Sequence, residues 1–193
     1  MVKRYMLNLN VTKNNMKRKI FLLLLLFLIF NIGVQAQKIS VNRIDKFTKD
    51  KVVYTSYEKI SSEAFIGTQT GKNIWICFGL ENGLNFILLK WLTAESRYVN
   101  KGSKVIFLDE EENPYVFKVS DYISGNGEGT VGALGMDLWG VRLLLLGDLS
   151  VFKDNKMTAI RIETSKGYFD YKIKSGASKK VMKAYNLFEE AIK

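Results

Sequence analysis

The chain has 193 residues, 47% of them hydrophobic and 25% charged, with a formal charge of +10, a single cysteine, a single proline and no histidine. The missing histidine excludes Ser-His-Asp and Cys-His catalysis, histidine-ligated zinc and the easiest general base near neutral pH. One cysteine excludes an internal disulfide.

Residues 16–37, MKRKIFLLLLLFLIFNIGVQAQ, carry the strongest signal. The unbroken apolar run Ile20 to Phe30 is eleven residues long, and continuing past Asn31 to Val34 gives fifteen. A membrane-spanning helix needs about 20. Lys17, Arg18 and Lys19 precede the run, and Val34-Gln35-Ala36 follows it as a small-x-small exit. These are the parts of a signal peptide, and cleavage is expected between Ala36 and Gln37. A lipoprotein would need a cysteine there, and Cys77 lies far beyond. Residues 1–15 add nothing that a signal peptide needs, so Met16 is the expected start. If the segment is not cut, the protein becomes a membrane-anchored structural component of the envelope.

Six basic and no acidic residues precede residue 37, leaving 23 basic against 19 acidic groups in residues 37–193. That excess is small and scattered, whereas a nucleic-acid surface shows clustered Lys and Arg. No nucleic-acid partner is expected, and the membrane is expected to be met only through the signal segment before cleavage. The 157 residues from Gln37 to Lys193 suit one domain, able to bury about 70% of its unfolded surface.

Along that domain, KISVNRI and KVVYTSYEKI are rich in β-branched and aromatic residues and read as successive strands across the polar DKFTKD. NIWICFGL and LNFILLKWL enclose Glu81-Asn82-Gly83, and Asn-Gly is the strongest two-residue hairpin signal. Both arms are apolar on both faces, so this hairpin should form the centre of the core, with Trp75, Cys77 and Trp91 inside it. Residues 101–119 read as two strands around a solvated acidic turn, Asp109 to Glu112. Leu138 to Leu146 reads as a strand, with Asp148 capping a short helical turn from Leu149 to Lys153. MTAIRIET and YFDYKI form a third hairpin around SKG.

The chain continues into an amphipathic helix of about residues 177–192. Val181, Tyr185, Phe188 and Ile192 lie on one stripe, and Ser175 or Ser178 is the expected cap. Lys179 and Lys180 crowd the positive end of its dipole, with Glu189 and Glu190 at the negative end, so packing must hold it. The expected fold is mainly β (α+β), an antiparallel β-sandwich or open barrel with one C-terminal amphipathic helix.

The chemical motifs are sparse. Gly127 to Gly132 matches G-x-G-x-x-G but opens no helix of useful length, so it reads as a glycine loop rather than a dinucleotide site. Asp109 to Glu112 lacks the calcium-loop spacing. The S-x-x-K pairs Ser56/Lys59 and Ser150/Lys153 lack the partner motifs of serine acyltransferases. No catalytic, cofactor or metal residue is nominated. Trp139, beside Gly140 and after the glycine loop, is the best candidate for an exposed stacking platform, with Tyr122 and Asn126 beside it as ligand-binding residues.

The ending Gln35-Ala36-Gln37, the stretch DKFTKDKVVYTS and the hairpin MTAIRIETSKGYFDYKI with its following helix resemble small exported proteins of Bacteroidetes-type bacteria. The resemblance implies an envelope location and an autonomous β-rich domain, and it carries no functional residue. The combined expectation is an exported periplasmic or extracellular binding module without enzymatic activity or cofactor, whose partner is a protein or glycan of the cell envelope. Its rival is a carboxylate-dependent envelope or glycan hydrolase, marked by two carboxyls about 5–9 Å apart in a cleft.

Overall fold

The computed structural model describes residues 37–61, 73–93, 99–123 and 139–193. The alternating and doubly apolar runs form ten strands: β1 (Ile39–Ile44), β2 (Lys51–Thr55), β3 (Glu58–Ser61), β4 (Asn73–Glu81), β5 (Leu84–Thr93), β6 (Lys104–Leu108), β7 (Pro114–Ile123), β8 (Trp139–Leu146), β9 (Ala159–Thr164) and β10 (Gly167–Lys172). A 3-10 turn, Leu149–Phe152, follows β8, and one helix, α1 (Ser175–Ile192), follows the last strand. Every pairing among the described strands is antiparallel, in the order β1-β2-β4-β5-β8-β7-β6-β9-β10, with β3 also on β4. The sheet is not closed into a barrel, and the fold is α+β and sandwich-like.

The central hairpin forms as its turn residues dictate. Asn82 and Gly83 have φ of 51° and 73°, the two positive values that a type I′ turn needs. Beyond the turn, Ile74, Ile76 and Phe78 of β4 face Trp91, Leu89 and Ile87 of β5 in register. All six are buried. The sheet coils so far that strands distant in its order meet through their inner side chains: Trp91 Nε1 of β5 donates to the Tyr171 hydroxyl of β10 at 3.1 Å. Coiling brings one core to both halves of the sheet.

Phe78 stands at the middle of that core, its ring 5.2 Å from Phe152, 5.4 Å from Tyr185 and 6.1 Å from Phe188. Phe152 reaches the other way to Phe107 and Phe117. The 3-10 turn is therefore a plug between helix and sheet, and Asp148 caps it by accepting from the Ser150 amide. The expected stripe of α1 is buried at Val181, Tyr185 and Phe188, with Ala184 added and Ile192 packed at the margin. It lies over β1 to β4. Each large side chain so buried contributes about 1.5–3 kcal/mol.

Three readings of the β1–β4 region and the helix need correction. KVVYTSYEKI is two strands rather than one. Both run along the same edge of β4, where Tyr54 pairs with Gly79 and Glu58 with Ile76, so four residue steps match three on the partner. The extra residue forms a bulge, in which the Thr55 hydroxyl accepts from the Phe78 amide. Neither Ser175 nor Ser178 caps α1. The cap position is Lys174, without a side-chain bond, and Ser178 is turned into the core with an unpartnered hydroxyl. The helix is held by its packed stripe. Finally, Trp75 is not a core residue, because the register that buries Ile74, Ile76 and Phe78 puts it on the opposite face of β4.

Candidate functional site

Of the residues nominated as ligand-binding, Trp139 opens β8 in register with Thr93, and Tyr122 lies near the end of β7 in register with Leu143. Adjacent strands thus bring the two to the same end of the sheet, four residue steps apart, or about 13 Å. Asn126, the glycine loop and Ala36 lie outside the described residues, and Gln37 is the residue two before β1.

The same end carries a constellation that the sequence reading missed. On the outer face of the sheet, Lys59 of β3 pairs with Trp75 of β4, Trp75 with Lys90 of β5, and Lys90 with Arg142 of β8. Four side chains from four neighbouring strands form one row, spanning roughly 14 Å at ordinary strand spacing. The Lys59 and Lys90 ammonium groups stand 5.3 Å and 5.8 Å from the centre of the indole. Trp75 is half-buried, whereas Trp91 on the inner face is wholly buried. An indole face attracts a cation by its quadrupole, so Trp75 holds two positive heads at fixed places without neutralising either. Tyr57, 42% exposed, lies near this face: burial against the sheet pushes its hydroxyl up, as does the Cys77 thiol, while Arg142 pulls it the other way.

One sequence signal could have found the row. In LNFILLKWLT, Lys90 is the only charge in an otherwise apolar strand, which marks an open face there. Trp75 then shares that face by register, and Lys59 follows from the pairing of β3.

Several other polar groups are committed to structure. Asp109 is buried rather than solvated, which corrects the reading of the acidic turn. Its carboxylate accepts from the Glu111 and Asn113 amides at 2.8 and 2.9 Å, from Asn113 Nδ2 at 3.0 Å and from the Tyr115 hydroxyl at 2.8 Å. Burial acts to raise its pKa, but these donors prevail and hold it down at about 2. Glu110, Glu111 and Glu112 are exposed as expected. Glu81 accepts from the Tyr54 hydroxyl, and Asp170 takes both Nε and Nη2 of Arg161 at 2.6 Å. Cys77 is buried, its thiol pushed up to about 11 by desolvation, and its Sγ donates to the Thr55 carbonyl. Such a thiol is a small buried hydrophobe, here on the same face of β4 as Trp75. Among the described residues, no group of three or more Cys, Asp or Glu side chains is placed to hold a metal ion, and no helix is long and apolar enough to cross a membrane.

No protein family, curated protein or solved structure was found to match this chain.

Proposed function

We propose that the protein is an exported, non-enzymatic binding module of the cell envelope, and that its ligand is a glycan bearing acidic groups. The signal-peptide features of residues 16–37 support export. The observation that carries the ligand class is the Lys59–Trp75–Lys90 bracket on the outer face of β3, β4 and β5. An extended chain laid across the strands meets an apolar ring edge with an ammonium on either side. The sugar body loses water against the indole while its carboxylates or phosphates meet the lysines. Arg142 continues the row in the direction of β7. Trp139 and Tyr122, at the same end of the sheet, fall on the alternate register positions to this row and are not part of it.

Native electrophoresis in gels containing polygalacturonate or a neutral glucan tests the reading. Retardation is expected in the acidic gel only. Trp75→Ala and the pair Lys59→Ala/Lys90→Ala should each weaken it about tenfold, equivalent to about 1.4 kcal/mol. Equal retardation by the neutral glucan, or none in either gel, would refute the proposed ligand class.

A further inference from the structure

At the opposite end of the central strands, two turns present apolar side chains to water. Phe47, in the turn between β1 and β2, is 95% exposed; Ile44, entering that turn, is 57% exposed, and Leu84, leaving the β4–β5 turn, is 60% exposed. The two turns are neighbours. Val53 of β2 is opposite Leu80 of antiparallel β4, so two residues further along each strand Lys51, where the first turn ends, is level with Asn82 in the second. At strand spacings of about 5 Å, Phe47, Ile44 and Leu84 share one corner of the sheet.

The first turn is rigid. Asp45 Oδ1 accepts from the amides of Phe47 at 2.8 Å and Thr48 at 3.0 Å, its carbonyl accepts from Lys49 N at 3.0 Å, and its amide donates to the Asp50 carbonyl at 2.8 Å. The Thr48 hydroxyl accepts from Asp50 N. Five hydrogen bonds thus fix a backbone that holds a phenyl ring out in water. Around it stand Arg43, Lys46, Lys49 and Lys51, against Asp45, Asp50 and Glu81. The hydrogen bonds to the Asp45 carboxylate stabilise its charge rather than cancel it, so residues 43–51 carry four basic against two acidic groups.

We infer that this corner is a membrane-docking tip, in which Phe47, Ile44 and Leu84 enter the interfacial layer of an anionic bilayer while Arg43, Lys46, Lys49 and Lys51 meet its headgroups. Separate apolar side chains on convex turns suit a fluid interface, which adapts its shape around each, better than a preformed protein pocket. The flanking cations supply the charge complementarity that an anionic leaflet demands, at about fivefold in affinity per basic residue. This contact is additional to the one expected through the signal segment. It is also independent of the proposed glycan ligand: on β4, Trp75 and Glu81 are six residues apart, so the row with its bound chain would stand about 20 Å above the docked corner.

A polarity-sensitive thiol dye on the full chain tests this. Phe47→Cys gives an exposed thiol, whereas Cys77 is buried and slow to react. On vesicles of mixed phosphatidylglycerol and phosphatidylcholine the dye at position 47 should shift to the blue and brighten at least twofold, with no change on phosphatidylcholine alone. A dye at Ser165→Cys, in the turn at the other end of the sheet, should not respond even if the N-terminal segment tethers the chain. Adding Lys46→Gln and Lys49→Gln should raise the lipid needed for half response by roughly 25-fold. No response at position 47 on either vesicle would overturn the proposal and leave the corner to a protein partner. An equal response at position 165, or one that both lysine substitutions leave unchanged, would overturn it too.

Discussion

In the turn joining β1 to β2, Asp45 folds its carboxylate onto the amides of Phe47 and Thr48; in the turn joining β6 to β7, Asp109 does the same to Glu111 and Asn113. Each turn also contains one residue in the left-handed region, Lys49 at φ 66° and Glu112 at φ 64°. The difference lies in what arrives from elsewhere. Asp109 receives the Tyr115 hydroxyl, and the Thr158 hydroxyl donates to its carbonyl at 2.9 Å, so the turn is fastened to the approach to β9 with its aspartate buried. Every hydrogen bond shown for the Asp45 turn comes from within it, and Phe47 projects from it. Local capping chemistry sets the shape of a turn; partners distant in sequence decide whether that shape becomes core or display.

Substitutions can break or sharpen this contrast. The largest effect is expected from Phe152→Ala, beneath the β6–β7 hairpin that carries the Asp109 turn, because its ring touches Phe78, Phe107 and Phe117. Urea denaturation should show a loss of about 3–5 kcal/mol. Next comes Asp109→Asn, which should lower the urea midpoint well beyond Asp45→Asn; equal losses would break the comparison. Its pH signature has a definite sign. The Asp109 pKa is depressed from the usual 3.8 to about 2, so its contribution is full above pH 3.8 and disappears as pH falls toward 2. The acid limb of the stability curve should flatten in that window in Asp109→Asn. Lys49→Gly and Glu112→Gly should each stabilise by under about 1 kcal/mol and by similar amounts, since glycine relieves the same left-handed conformation at some cost in unfolded-state entropy. The smallest effect is expected from Phe47→Ser, within about 0.5 kcal/mol in thermal unfolding, because the ring packs against so little.

What was legible in the sequence was local. Asn82-Gly83, the hairpin around Ser165 and Lys166, the Asp148 cap and the stripe from Val181 to Phe188 are set by residues a few positions apart. The strand order was not legible, because β5 pairs with β8 across about fifty intervening residues and the hairpin signals on either side are silent about it. The same gap hid the candidate site. Trp75 lies between two isoleucines and Trp91 follows Lys90, so the immediate neighbours point the wrong way, and only the register separates the half-covered indole from the buried one. Asp109 looked solvated among three glutamates because Tyr115 and Thr158, which enclose it, belong to β7 and to the segment before β9. The partnerless hydroxyl of Ser178 has no account in the sequence or in the packing around it.

The position of α1 in the chain also bears on the order of folding. It follows every strand, yet it lies over β1 to β4, and Phe188 and Tyr185 complete the cluster around Phe78. The proposed export would thread the chain through a membrane from its N-terminus and bring out its first strands long before the helix that covers them. Until then the inner faces of β2 and β4 remain open to chaperones or to unwanted strand pairing. With contacts as distant as Trp91 to Tyr171 also required, the refolding rate should be slow and limited by long-range closure rather than by any hairpin.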